Sequence, residues 1–396
     1  MYKVKILNNI KSSALSNLES SKYEVSPDIE NPNAIIVRSA KLHDMEINPE
    51  LLCIARAGAG VNNIPLERLA DAGVAVFNTP GANAEAVKEL VISAMLLCSR
   101  DILGGIEWVR SVASQGEDVA KLVEKEKSRF IGPEIYGKTL GVIGLGAIGA
   151  KAAAAASALG MKVYGYDPYI SVENAWKIRS EIIQAKDLDT IYQNCDYITL
   201  HVPYIKATHH FINKESIAKM RTGVRIINLS RAELVNDEDM IKALKSGHVN
   251  RYVTDFPNAK TADAQGVIAI PHLGASTPES EDNCVTMACT EIIEYIENGN
   301  IINSVNIPAA FIPRTDDPRI CVIHDNVPEM IAKMTGAMSK FNVNIENMIN
   351  AGKKGTVTAY TMFDVCAIPN GILDALSDIE GVTKVRGLQG KGTELN

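Results

Sequence analysis

Residues 138–149, KTLGVIGLGAIG, constrain this chain more than any other stretch. An apolar run reads as a buried strand, three glycines at 144, 146 and 149 follow, and a helical pattern takes over. GxGxxG alone is a weak signal, but a strand before it and a helix after it make it specific. Gly144 allows a tight turn, Gly146 lets backbone approach a pyrophosphate, and Gly149 permits close helix–strand contact. The helix start, with Ala147 and Ile148, offers free N–H groups and a partial positive charge. A second strand, MKVYGY, then ends at Asp167, 18 residues past Gly149. A carboxylate there accepts the ribose hydroxyls and repels a 2′-phosphate. The stretch predicts a parallel βαβ unit that binds NAD in preference to NADP.

The rest of the chain extends this pattern. YKVKIL, AIIVRS, LLCIARAG and VAVFNTP read as short buried strands, with helical segments such as PLERLADAG between them. After the glycine turn come MKVYGYD, DYITLHVP, GVRIINLS, RYVTDF and GVIAIPH. Strands alternating with helices predict parallel sheets covered on both faces. Long helical segments are expected at 84–100 and 278–297, the second packing back on the first block. Residues 306–318, with three prolines and a charged cluster, read as a linker. Beyond it the order is strand, helix, strand, strand, helix, strand, a ferredoxin-like βαββαβ unit. The expected organisation is a discontinuous first domain (1–98 and 281–306), a dinucleotide domain (99–280), a linker (307–318) and a C-terminal domain (319–396).

A chain of 396 residues with 46% hydrophobic and 22% charged residues has ample core for two or three domains. The net charge of −7 and the lack of a long Lys/Arg cluster argue against nucleic acid or an anionic membrane as partner. Seven cysteines (Cys53, Cys98, Cys195, Cys284, Cys289, Cys321 and Cys366) show no CxxC spacing. That argues against a disulfide framework or a structural zinc site, and no metal is expected. The start, MYKVKILNNI, lacks a signal-peptide pattern, and no run of about 18 apolar residues marks a transmembrane helix. A cytoplasmic location is expected.

GLGAIG, His201–Pro203, NLSRAELV (228–235), Asp255 and PHLGAST (271–277) occur in an order and spacing that resemble the NAD-dependent D-2-hydroxyacid dehydrogenases. VRSA (37–40), RAGAGVNNI (56–64), NTPGAN (78–83) and RFIGPEIYGKTLG (129–141) are similar to the branch of that family that oxidises D-3-phosphoglycerate to 3-phosphohydroxypyruvate, the first committed step of serine synthesis. HDNVPEM (324–330) and VNI (343–345) resemble an ACT regulatory domain. The resemblance covers nearly the whole chain. It implies a flavodoxin-like substrate domain, a Rossmann domain and a ferredoxin-like ACT domain, assembled into a dimer or tetramer.

The same resemblance distributes roles. The chemistry moves a hydride between C2 of a 2-hydroxy acid and nicotinamide, and a proton between the C2 oxygen and the protein. A histidine suits the proton and an arginine the carboxylate. His272, after VIAI and a proline, is the implied acid–base, and Arg231, after VRIINLS, the implied carboxylate clamp. The cofactor residues are Thr79, Gly144, Gly146, Ala147, Ile148, Gly149, Asp167, His201, Val202, Pro203, Leu229, Ser230, Arg231, Asp255, His272, Gly274 and Ala275. The substrate loops are carried by Arg38, Arg56, Ala57, Gly58 and Asn83. From its own stretch, VTDFPNAK, Asp255 serves equally as a capping carboxylate in a Pro-containing turn.

One position departs from the family. Relatives place a glutamate about five residues after the aspartate, as partner of the histidine. Here that position is Lys260, and no glutamate occurs between Asp255 and His272. Either His272 works alone or with Asp263, or Lys260 enters the site as a proton donor with its pKa lowered by burial and by Arg231. A solvated loop lysine is the third reading. Another 2-hydroxy acid, such as hydroxypyruvate or 2-oxoglutarate as the oxo form, and a NAD-sensing binding protein remain as alternatives. In the C-terminal block His324, Asn326 and Asn344 are the implied contacts for L-serine. The usual glycine after the proline is Glu329, so serine inhibition competes with a purely structural dimerisation role.

Overall fold

The computed structural model describes residues 1–8, 10, 13–170, 172–176, 178–352 and 356–390. It forms two compact units, Met1–Ala82 with Glu281–Asn396, and Asn83–Ser280.

In the first unit β1 (Tyr2–Ile6), β2 (Tyr23–Ser26), β3 (Ala34–Val37), β4 (Cys53–Arg56) and β5 (Ala75–Phe77) form a parallel sheet in the order β2-β1-β3-β4-β5. That is the flavodoxin-like order. The strands are short apolar runs because both faces are covered. Ile35, Val37, Ile54 and Val76 pack on one side, and Val4, Ala34, Ile36, Cys53 and Ala55 on the other. The helix Pro278–Asn298 covers the latter face with Val285, Ala288, Ile292 and Tyr295, as expected from the sequence.

The second unit holds β6 (Thr139–Ile143), β7 (Lys162–Tyr166), β8 (Ile183–Gln184), β9 (Tyr197–Leu200), β10 (Val224–Asn228), β11 (Val249–Thr254) and β12 (Val267–Ala269). All pairings are parallel, in the order β12-β11-β10-β9-β6-β7-β8. The order reverses at β6, where the chain runs to β7 on one side and β9 lies on the other. Such a switch point opens a crevice at the strands' carboxyl ends. Ala152, Ala153 and Ala156 are fully buried, so the run of small side chains brings the helix Ala147–Ala158 close to the sheet.

The boundary near 98 is corrected. The helix Ala84–Ser99 forms where expected, but Val87, Val91 and Met95 bury in the core of the second unit. Burial of side chains this size is worth about 1.5–3 kcal/mol each, whereas Asn83 supplies no side-chain cap. Packing therefore decides which unit owns the helix.

The linker and the separate C-terminal domain are corrected too. β13 (Arg319–Asp325), β14 (Ile345–Ala351), β15 (Thr358–Val365) and β16 (Val382–Leu388) form an antiparallel sheet in the order β14-β15-β13-β16, the ferredoxin-like arrangement. Ile320, Val322, Phe363 and Val365 face the helices Met330–Lys340 and Ile372–Ser377. Cys321, Ile323, Tyr360 and Met362 join the core of the first sheet instead. The expected linker is a packed strap. Ile307, Ala310 and Ile312 are buried, and Asn306 pairs through its side chain with Val76 N–H and the Val74 carbonyl. Arg319, wholly buried, grips Asp364 through Nε and Nη2 at 2.6 and 3.1 Å and donates to the carbonyls of Asn298, Ile312 and Pro313. A proline-rich stretch with several hydrophobic anchors is read better as a strap than as a tether. Among the described residues no helix is long and apolar enough to cross a membrane.

Candidate active site

The glycine turn after β6 has the geometry its sequence demands. Gly144 sits at φ +93°, and a Cβ there would fall 2.4 Å from the His201 carbonyl oxygen. At Gly149 a Cβ would fall 1.9 Å from the Gly144 carbonyl oxygen. A Cβ at Gly146 would meet nothing within 4 Å, so the turn is open on the side where a phosphate approaches. Ala147 and Ile148 begin the helix there. Asp167, just past β7, accepts Leu145 N–H and Tyr169 N–H at 2.9 Å each, one on each carboxylate oxygen. A carboxylate bonded only by donors keeps lone pairs for ribose hydroxyls. The donor set and the open cradle fit NAD.

His201 follows β9. Its Nε2 pairs with Thr199 Oγ1 at 3.0 Å, and its Nδ1 is buried without a hydrogen-bond partner among the described residues. A second N–H would have no acceptor, and burial pushes the imidazole down to about 4. His201 is thus neutral at physiological pH. Val202 lies against Gly144 and Pro203 is exposed beyond it.

The catalytic candidates stand after β10, β11 and β12, on one edge of one sheet. Asn228, fully buried at the end of β10, accepts Ser230 N–H and Arg231 N–H through Oδ1 and donates to the Arg231 carbonyl through Nδ2. Leu229 is buried and Ser230 Oγ donates to the Leu200 carbonyl at 2.6 Å. This cage fixes the backbone of Arg231 and leaves its side chain exposed, with Nη1 on the Ser230 carbonyl. His272 is exposed, and its ring meets Phe256 at 4.6 Å between centroids. Asp255, 1% exposed, accepts Gly274 N–H through Oδ2, while its Oδ1 is buried without a partner among the described residues. Burial raises the Asp255 carboxyl above its ordinary range, and the His272 and Arg231 charges pull it back. Ala275 follows Gly274, half-buried. Asn228, Thr199 and Phe256 escaped the sequence reading. Only Asn228 carried a signal, an amide at a strand end that is able to organise the turn after it.

Lys260 is a correction. Its ammonium pairs with Glu238 at 2.8 Å, both side chains well over half exposed, and the Glu238 hydrogen bond raises the lysine above its ordinary value. The reason is local. Asn258 gathers Lys260 N–H and Thr261 N–H on its Oδ1 and binds Asp237, and that compact turn aims the lysine at the helix Asp237–Lys245. Asp263 is exposed as well.

In the first unit Arg38 follows β3 and pairs with Glu281. Arg56 ends β4, donates from Nε to the Arg38 carbonyl at 3.1 Å, and lays its guanidinium where a Cβ on Gly58 would stand. Gly58, at φ +149°, is the residue that admits this. Ala57 is buried. Thr79 is 1% exposed, and its hydroxyl accepts Gly58 N–H at 2.7 Å, which braces the loop after β4. Asn83 belongs to the second unit, and its Oδ1 is buried without a partner among the described residues.

The three implied serine contacts do not meet within one chain. His324 is buried, with Nδ1 on the Asp325 carbonyl at 2.7 Å and Nε2 on Thr361 Oγ1 at 2.8 Å. Asn326 bonds Val357 and Thr356 at the β13 carboxyl end, whereas Asn344 N–H reaches Cys366 Sγ at the opposite end of the sheet. Six residues of strand separate the ends, about 20 Å at 3.3 Å per residue. Glu329 stands at φ +70°, a left-handed position that suits the glycine expected there.

Residues 92–274 match the model of the D-isomer specific 2-hydroxyacid dehydrogenase NAD-binding domain. A hydroxypyruvate reductase of Thermotoga maritima is 37% identical over 66% of this chain and 83% of its own length. A D-3-phosphoglycerate dehydrogenase of Methanocaldococcus jannaschii is 34% identical over 73% of this chain and 55% of its own, so the chain spans about half the length of the curated relatives of that name. The NAD+-bound structure of 3-phosphoglycerate dehydrogenase from Entamoeba histolytica superposes on 78% of this chain and 99% of its own, at 26% identity and a TM-score of 0.58. The switch-point cradle with its aspartate, and the histidine and arginine at the carboxyl edge of the same sheet, agree with these likenesses: the chain belongs to the D-isomer specific 2-hydroxyacid dehydrogenases.

Proposed function

We propose that this chain oxidises D-3-phosphoglycerate to 3-phosphohydroxypyruvate with NAD, the first committed step of L-serine synthesis, in the cytoplasm and as a homo-oligomer. The observation that carries the reading is the likeness to D-3-phosphoglycerate dehydrogenases over about three quarters of the chain, 76% of it for the Bacillus subtilis protein. Arg38 and Arg56 add to it, since a phosphorylated substrate needs cations beyond the one that holds its carboxylate. Arg38 is already paired with Glu281, so substrate phosphate competes with that carboxylate.

Bound NAD supplies the hydride acceptor for the hydrogen on C2. Arg231 holds the substrate carboxylate as a forked donor, on a backbone that Asn228 has fixed. His272 takes the C2 hydroxyl proton in oxidation and returns it in reduction. Its exposed ring admits the substrate, and Phe256 fixes one side of it. His201, held neutral, adds no charge beside the cofactor turn.

A second reading, reduction of hydroxypyruvate, is favoured by the Thermotoga relative that this chain matches over 83% of its length. Steady-state kcat/KM with NADH for 3-phosphohydroxypyruvate, hydroxypyruvate and 2-oxoglutarate separates the readings. We expect the phosphorylated acid to lead by at least about tenfold, the worth of roughly one well-made ionic contact. A lead for either unphosphorylated acid replaces the reading. Regulation by L-serine requires a second copy to bring Asn344 to His324 and Asn326. Millimolar serine that neither inhibits nor binds leaves the C-terminal sheet a packing role.

A further inference from the structure

We propose that Asn8 is a positioning residue for the phosphate end of the substrate: it sets the loop after β3 that carries Arg38, and so governs how strongly a phosphorylated acid is preferred. The inference rests on the reading of Arg38 as a phosphate contact, and four observations lead to it. First, Asn8 stands just past β1 at φ +74°. That left-handed conformation is unfavourable for most side chains, and asparagine is among the few that adopt it. Second, its Oδ1 accepts Arg38 N–H, Ser39 N–H and Ala40 N–H at 3.2, 3.0 and 3.1 Å. One side-chain oxygen thus gathers successive donors at the end of the neighbouring strand. Third, Asn63, in the loop after β4, ties the same loop from the strand on the other side of β3. Its Nδ2 donates to the Ala40 carbonyl at 2.8 Å, and its own carbonyl accepts Leu42 N–H at 2.9 Å. Fourth, the Arg38 carbonyl accepts Arg56 Nε at 3.1 Å, so both substrate arginines are referred to one short stretch of backbone.

Past the end of a strand the ladder no longer supplies acceptors, and the backbone N–H groups of the turn must find others. Asn8 provides one for Arg38, Ser39 and Ala40 together, which fixes the backbone from which the Arg38 side chain springs. The side chain itself stays 40% exposed and paired with Glu281, a surface ion pair that a phosphate is able to replace. The base is therefore held while the guanidinium is free to change partner. A held base matters because a planar guanidinium fork grips phosphate only from the right direction. The phosphate takes no part in the reaction, so its hold is the same in the ground and transition states, and loosening it raises KM rather than lowering kcat. A substrate without phosphate does not use the loop and does not feel the change.

The test is steady-state reduction of 3-phosphohydroxypyruvate and of hydroxypyruvate with NADH by the full chain, as wild type, N8G, N8A, N8D and R38A. Asn8 is exposed, so its replacement spares the core. N8G takes the left-handed turn without strain and lacks only the acceptor. N8G and N8A should each raise KM for the phosphorylated acid about tenfold, the worth of roughly one ionic contact, with kcat within about twofold of wild type. Both should leave kcat/KM for hydroxypyruvate within about twofold, whereas a general loss of structure lowers the two substrates alike. N8D keeps an oxygen for the same donors and should restore most of the lost affinity. A wild-type KM for the phosphorylated acid in N8G and N8A, with R38A impaired, overturns the proposal and leaves the reading of Arg38 intact. Equal losses for both substrates, or an N8D as impaired as N8G, overturn it too. An unchanged preference in R38A, or a chain that turns over neither acid, removes the reading of Arg38 and the proposal with it.

Discussion

The glycine turn after β6 and the loop from Asp255 to His272 sit on the same sheet edge, yet they are built differently. The turn is made of backbone. Its three glycines are required by a positive φ, a close carbonyl and an open face, and each requirement is local. The loop is made of side-chain directions. Asp255 turns in to Gly274, while Lys260, five residues later, turns out to Glu238. A backbone site travels with its motif. A side-chain site depends on where a short turn aims each residue, and counting residues from a family pattern misassigns it when the loop changes length.

Substitutions sharpen that contrast. H272A and R231A should each lower kcat/KM by about 10²-fold or more with NADH binding retained, as expected for a positioned acid–base and a charge clamp. Near-normal turnover in either would remove that residue from the chemistry. Next is acid stability. His201 is neutral in the fold and ordinary when unfolded, so stability is present above about pH 6.5 and is lost as pH falls toward 4. At about 1.4 kcal/mol per unit the loss is about 2 kcal/mol by pH 5 and about 3.5 kcal/mol by pH 4. Urea unfolding at pH 7 and 5 should show a smaller drop for H201N than for wild type, and equal drops would contradict the neutral assignment. G146A should leave thermal stability nearly unchanged but weaken NAD binding by about tenfold, since the added methyl has space in the fold and intrudes on the pyrophosphate. Lost stability with intact binding would reverse that account of the turn. D167A should narrow the preference for NAD over NADP by several-fold, and an unchanged ratio would show that the carboxylate does not read the ribose. K260A should change kcat/KM by less than about twofold, the value of a solvated ion pair, and a large fall in kcat would return the lysine to the relay.

Much of the fold was legible because local and global preferences agree. Apolar runs bounded by turns gave the strands of both parallel sheets except the short edge strands β2 (Tyr23–Ser26) and β8 (Ile183–Gln184), and GxGxxG with Asp167 located the switch point. The helix at 84–99 was legible as a helix but not as part of the second unit, because periodicity finds an apolar face and not the sheet that receives it. The strap at 306–318 misled for a related reason. Prolines mark irregular backbone, and only the packing of Ile307, Ala310 and Ile312 and the grip of Arg319 distinguish a strap from a tether. In the site Asp167, Arg231 and His272 were legible as strand-end residues. The bond from Gly58 N–H to the Thr79 hydroxyl was not, since it joins the loops that follow two different strands of the first sheet. Asn326 and Asn344 share a sheet but stand at opposite ends of it, a separation that register reveals and residue number conceals.

An NAD cradle and a working proton relay on one sheet edge are the centre of this reading. The direct measurement is NADH binding and NADH oxidation by 3-phosphohydroxypyruvate in the same wild-type sample. Tight binding of NADH and rapid, complete conversion to D-3-phosphoglycerate are expected. Tight binding with no turnover of 3-phosphohydroxypyruvate, hydroxypyruvate or 2-oxoglutarate would contradict the relay and leave a protein that holds the cofactor without using it.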